Sequence, residues 1–203
     1  VEASLTELMA LGPSHISIYG LSVEPGTVLS HNLRQGRWIL PTDDETGNMY
    51  DLIMDRLVKG GYERYEISNF AKAGDKSRHN LVYWHYNPYL AFGAGATRFD
   101  GRTRENNPAY LAAYERGEAP EIECLSPAVQ REEMIFMNLR TVRGLSLLDY
   151  EARFGRSFAF DYGPQIENLI HKGWAKWEDG HFCLTPLGMQ YGNLAFEAFI
   201  TTD

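Results

Sequence analysis

The residues best equipped for chemistry fall between positions 79 and 89. His79 is followed by Asn80, Tyr83 and Trp84, with His85, Tyr86 and Tyr89 close behind. An imidazole can serve as an axial ligand to haem iron, and aromatic neighbours can wall a macrocycle. The run follows a polar stretch, residues 73–78. It therefore reads as a loop dense in His, Asn and aromatic residues, the kind of segment where binding residues concentrate. On the residues alone a packing role is the favoured reading, with the aromatics sealing the end of a barrel and His79 bonding a carbonyl.

Three other places could carry function. Gly93-Ala94-Gly95-Ala96 would let a ligand approach the backbone, or would serve close strand packing. It lacks the full Gly-x-Gly-x-x-Gly spacing of a dinucleotide loop. Gly20 and Leu21 end an apolar run, and in α/β folds ligands bind beyond the carboxyl ends of strands. Glu24 and Glu66 are the carboxylates nearest such strand ends. No nucleophile–base pair, phosphate loop or paired metal ligands can be argued from spacing. Cys124 and Cys183 are the only cysteines. Two cannot make a four-cysteine zinc site or a three-cysteine iron–sulfur site, so both read as small apolar residues.

The elements that must position these residues follow from periodicity. Leu5, Leu8 and Met9 predict a helix over 2–11, and His15 to Leu21 reads as a short buried strand. Thr42-Asp43-Asp44-Glu45 is a capping box, opening a helix with Met49, Leu52, Ile53 and Leu57 on one face. Tyr62 to Ser68 is the next strand. Strand, helix, strand with short connections implies a parallel sheet with crossover helices. Tyr89 to Ala96 reads as a further strand and turn, and Asn107-Pro108 as the start of a short helix through Tyr114. Residues 117–125 read as a linker. The rear segment predicts helices over about 126–140, 146–154 and 161–172. A hairpin follows, Trp174–Glu178 with His181–Leu184, turned by Asp179-Gly180. A last helix runs from Thr185-Pro186 toward Ile200. That order is winged-helix-like.

Composition narrows the classes. The 203 residues are 44% apolar, enough for a real core, and carry a net charge of −8. Residues 126–203 hold 7 basic and 10 acidic side chains, which argues against binding nucleic acid through its phosphates. No apolar run is long enough for a membrane span, and the first residues have no secretory pattern. The expected location is the cytoplasm.

Taken in order, four segments resemble the radical-SAM haem chaperone family (HemW). They are Ile18-Tyr19-Gly20-Leu21 with Glu24-Pro25-Gly26-Thr27, then Tyr65-Glu66-Ile67-Ser68-Asn69-Phe70-Ala71, then His79-Asn80-Leu81-Val82-Tyr83-Trp84, then Gly93-Ala94-Gly95-Ala96. The family is related to oxygen-independent coproporphyrinogen III oxidase and is often described as that enzyme. The resemblance covers almost the whole chain. It implies an α/β fold: the rear of a radical-SAM β/α barrel over 1–116, a linker over 117–125, and a small winged-helix-like α+β domain of HemN type over 126–203. It also implies haem as ligand, with His79 toward the iron and Asn80, Tyr83 and Trp84 around it, and Gly20 and Leu21 facing S-adenosylmethionine.

The family holds a [4Fe–4S] cluster through a Cys-x-x-x-Cys-x-x-Cys motif that this sequence lacks. The expectation is a fragment that binds haem and passes it to acceptor proteins but does no radical chemistry alone. The alternatives are a fragment of the porphyrinogen oxidase of porphyrin biosynthesis and, behind it, a nucleic-acid-binding winged helix. An open half-barrel would expose a sheet edge, so pairing between copies is expected. Peripheral membrane contact is implied only for the full-length family.

Overall fold

The computed structural model describes residues 1–200. It divides into two compact units, one over residues 1–76 and one from Ser77 onward. This cut falls well before the expected linker.

The first unit begins with α1 (Glu2–Ala10), β1 (His15–Ser17) and α2 (Val28–Arg34). The Thr42 box then opens α3 (Asp43–Lys59) as its sequence requires: the Thr42 hydroxyl accepts from the Glu45 N–H, and the Glu45 carboxylate accepts from the Thr42 N–H. β2 (Glu63–Arg64) and β3 (Asn69–Ala71) complete the unit. Leu5, Ile16, Leu57, Tyr62 and Phe70 form its core, with Ile53 packed against them.

The expected parallel sheet is corrected here. The order is β1-β3-β2, and both pairings are antiparallel. β1 and β2 do run in the same direction, but β3 lies between them. The physical reason is a tight turn inside the segment read as one strand. The Glu66 side chain accepts from the Ser68 N–H at 2.8 Å, and Arg64 bonds the carbonyls of Glu66 and Ile67. The expected first strand is also shorter than predicted: it stops at Ser17, and Tyr19 and Leu21 stand about 70% exposed.

The second unit opens with α4 (Arg78–Trp84), then β4 (Thr97–Phe99), β5 (Thr103–Asn106), α5 (Leu111–Glu115) and β6 (Glu121–Cys124). The three strands form an antiparallel sheet in sequence order. Residues 121–124, inside the stretch read as a linker, are therefore its third strand. Asn107 does not cap a helix. Its side-chain amide donates to the Gly93 carbonyl at 2.9 Å, while Gly95 N–H reaches the Pro108 carbonyl. The Gly-Ala-Gly-Ala segment is thus an internally tied turn.

The rear elements are α6 (Pro127–Leu139), β7 (Leu145–Ser146), α7 (Leu147–Phe154), α8 (Phe158–His171), β8 (Ala175–Glu178), β9 (His181–Leu184), α9 (Pro186–Gln190) and α10 (Gly192–Glu197). The Asp179-Gly180 hairpin forms as read, with both residues at positive φ. α8 starts one turn before its expected position, breaks at Tyr162, then resumes at Pro164, which cannot donate to the preceding turn. The expected closing helix is two short ones, broken at Tyr191, whose ring stacks on Trp174 at 4.9 Å. Tyr150, Phe158, Phe182 and Phe199 are buried together at the centre. Among the described residues no helix is long and apolar enough to cross a membrane.

Candidate functional site

The segment read as a loop is a two-turn helix. Ser77 caps it: its hydroxyl accepts from the Asn80 N–H at 3.2 Å. On a helix, residues four apart share a face. The spacing of His79, Asn80, Tyr83 and Trp84 therefore makes two neighbouring pairs, His79 with Tyr83 and Asn80 with Trp84.

The pairs have different surroundings. His79 is exposed, and among the described residues its ring makes no hydrogen bond. Its ring meets that of Tyr83 edge-on, with centroids 5.0 Å apart at 83°. Tyr83 in turn meets Tyr89 at 4.6 Å, and Tyr89 bridges backbone to backbone with Phe99. Trp84 faces α6 instead, with the Arg140 guanidinium 4.5 Å from its ring centroid. Its indole N–H is buried and has no hydrogen-bond partner among the described residues.

The end of α4 is anchored firmly. Tyr86 N–H bonds the Tyr83 carbonyl and Asn87 N–H bonds the Val82 carbonyl, which places Tyr86 in the left-handed region at φ 55. That position usually takes glycine. Here the side chain fixes it. The buried Tyr86 hydroxyl donates to Glu133 at 2.8 Å, and Glu133 also takes Arg104 at 2.6 Å. Burial, then the bond to Glu133, push the Tyr86 hydroxyl well above the usual phenol range. Arg153 lies 4.7 Å over the same ring.

Sequence reading missed the helix, Phe99 and Arg140. The signals were present in the Ser77-x-x-Asn80 cap and the i, i+4 spacing of the aromatic residues.

The other sequence candidates separate from this group. Gly20 and Leu21 lie exposed in irregular backbone of the first unit. Glu66 is fully buried and closes the β2–β3 turn. Glu24 contributes its carbonyl to a turn with Thr27. Cys183 is buried and donates to the Arg143 carbonyl, while Cys124 is exposed on β6. Among the described residues no three His, Cys, Asp or Glu side chains converge as metal ligands. These residues do not fit an iron–sulfur cluster. An accessible imidazole such as that of His79 is a donor that could hold haem iron. The cavity between Tyr83, Tyr86, Tyr89 and Phe99 is only about 30 Å³. A macrocycle would have to lie on the helix rather than inside the unit.

Comparison with known proteins gives a consistent set of relatives. A family model described as the HemN C-terminal domain matches residues 125–191. The chain is 34% identical over 207 residues to the heme chaperone HemW of Lactococcus lactis, covering 100% of this chain and 55% of that protein. It is 34% identical over 206 residues to HemW of Bacillus subtilis, covering 98% and 54%. In structure it matches coproporphyrinogen III oxidase (HemN) from Escherichia coli, described as a radical SAM enzyme. That match has a TM-score of 0.74 at 16% identity, covering 98% of this chain and 51% of that one. The class is thus a mixed α/β protein with small sheets, sharing its fold with a radical SAM enzyme. Within that class, the chain is similar in sequence to the haem chaperones named HemW, and its residues 125–191 match the HemN C-terminal domain. It spans about half the length of the curated relatives it matches.

Proposed function

We propose that these residues are the haem-handling portion of a haem chaperone, which takes up haem on α4 and passes it to acceptor proteins. The observation that carries this reading is the state of His79. It presents an exposed imidazole with no hydrogen bond among the described residues, one helical turn from Tyr83. The relatives named heme chaperones supply the cargo class.

Bound haem would supply a Lewis-acidic iron, and the His79 ring nitrogen would be the donor that holds it. Tyr83 meets the imidazole edge-on from the next turn, and Asn80 follows it on the helix, while Trp84 lies on the face toward α6. A ligand held on an open helix face can leave again, which suits transfer.

In the same reading, residues 1–116 belong to the rear of a radical-SAM barrel and 126–203 to the winged-helix-like domain, and 117–125 between them carries β6. Gly20 and Leu21 would face S-adenosylmethionine. Among the described residues neither Cys124 nor Cys183 belongs to a group of metal-ligating side chains.

Haem titration followed by the Soret band tests the proposal. His79→Ala should lose most of the Soret change while far-UV circular dichroism stays that of the wild type. Identical titrations for both proteins would sink the His79 assignment. The match to the HemN C-terminal domain favours one alternative, a fragment of a coproporphyrinogen oxidase. That reading predicts S-adenosylmethionine- and reductant-dependent conversion of coproporphyrinogen once the remaining length of the relatives is supplied, with haem uptake indifferent to His79.

A further inference from the structure

A cleft in the second unit lies outside the residues of that reading. It has two lobes of about 450 and 570 Å³ that share His85, Asn138, Arg143 and Asp149 as walls. Clefts of this size suit small molecules. Four elements contribute charged or titratable groups. His85 follows α4, Arg143 sits in the turn between α6 and β7, Asp149 and Arg153 lie on α7, and Asp179 and His181 lie at the β8–β9 hairpin.

The two arginines differ in kind. Arg153 is fixed, donating to the Gly101 carbonyl at 2.6 Å and lying over the Tyr86 ring. Arg143 is exposed, and its side chain makes no hydrogen bond or ion pair among the described residues. It is a free planar fork beside an imidazole. A guanidinium fork matches a carboxylate with two parallel hydrogen bonds. Asp149 and Asp179 in the same walls set an upper limit on ligand charge, because they repel a dianion more strongly than a monoanion. The Ser146 hydroxyl is already used on the Asp149 N–H, so the first turn of α7 has its own acceptor.

We propose that this cleft binds a small carboxylate-bearing ligand, anchored by Arg143 with His85 beside it.

Binding has a built-in readout. His85 is held below the ordinary histidine range by burial first and then by Arg143, with Asp149 opposing. A carboxylate on Arg143 removes the repulsive part, so His85 protonates more easily in the complex. Affinity therefore rises as pH falls through the His85 titration.

The test follows the His85 ring C–H signals by NMR during titration with butyrate, at ionic strength held constant with sodium chloride. Wild type should give saturable shifts and a raised His85 titration midpoint. Arg143→Gln should weaken butyrate binding at least tenfold. Arg116→Gln, at an exposed ion pair with Glu118 outside the cleft, should change nothing. Shifts that do not saturate would overturn the site. So would an Arg143→Gln protein that binds like wild type, or inorganic phosphate binding as tightly as butyrate. Haem titration of Arg143→Gln should match wild type, so failure here leaves the His79 reading untouched.

Discussion

The second unit holds two dense aromatic clusters, and they do opposite things. Around Phe158, the ring centroids of Tyr150, Tyr162, Trp177, Phe182 and Phe199 lie between 5.3 and 6.3 Å away. Phe158 is 2% exposed, and the Tyr150 hydroxyl is satisfied by Asp161 at 2.9 Å. That cluster is a finished core. Along α4, the rings of His79, Tyr83, Tyr89 and Phe99 also touch in series, but the series starts at an exposed imidazole with nothing to bond. Aromatic density alone therefore does not mark a binding site. The marker is the free polar terminus.

Several changes would break or sharpen this contrast. Phe158→Ala should cost most, about 3–5 kcal/mol by the usual scale for a buried aromatic, read by urea unfolding. Haem uptake per folded molecule should stay the same. Tyr86→Phe comes next. It removes the donor to Glu133 and should cost about 1–2 kcal/mol. It should also alter the alkaline limb of stability. Tyr86 and Tyr150 both have hydroxyls pushed up by burial and by carboxylate acceptors. Their protonated forms are favoured in the fold, so their contribution is present below the ordinary phenol pKa and fades as pH rises beyond it. Unfolding titrations from neutral to strongly alkaline pH should fall for wild type and fall less for Tyr86→Phe. His79→Ala should be smallest in stability, within about 0.5 kcal/mol for an exposed site, and largest in the Soret signal. A stability loss comparable to that of Phe158→Ala would make His79 a core residue and erase the distinction.

How much of this could be read in the sequence differs by element. The rear half was readable because its signals are local. Asp179-Gly180 needs no partner to declare a hairpin, and Ser126, Ser146 and Thr185 each cap the helix that follows them. The β4-β5-β6 sheet was not readable. Its strands are three or four residues long and mostly polar, and β5 has no buried residue. Its cross-strand side-chain contacts are mostly polar, Thr97 with Asn106, Arg98 with Glu105 and Arg104 with Glu123, and such pairs appear only once the register is known. The site was identified in residue type but not in form. Helical periodicity is a weak signal over seven residues, and here both faces carry aromatic rings.

Trp84 offers a last consequence. It lies five residues from His79 on one helix, roughly 7–8 Å along the axis, with its ring held under Arg140. A porphyrin bound at His79 would sit within energy-transfer range of this indole and darken its emission. With Trp38, Trp174 and Trp177 replaced by Phe, a single fluorophore would time both loading and hand-over in a stopped-flow cell. The helix that receives the cargo would then report its own occupancy without any added dye.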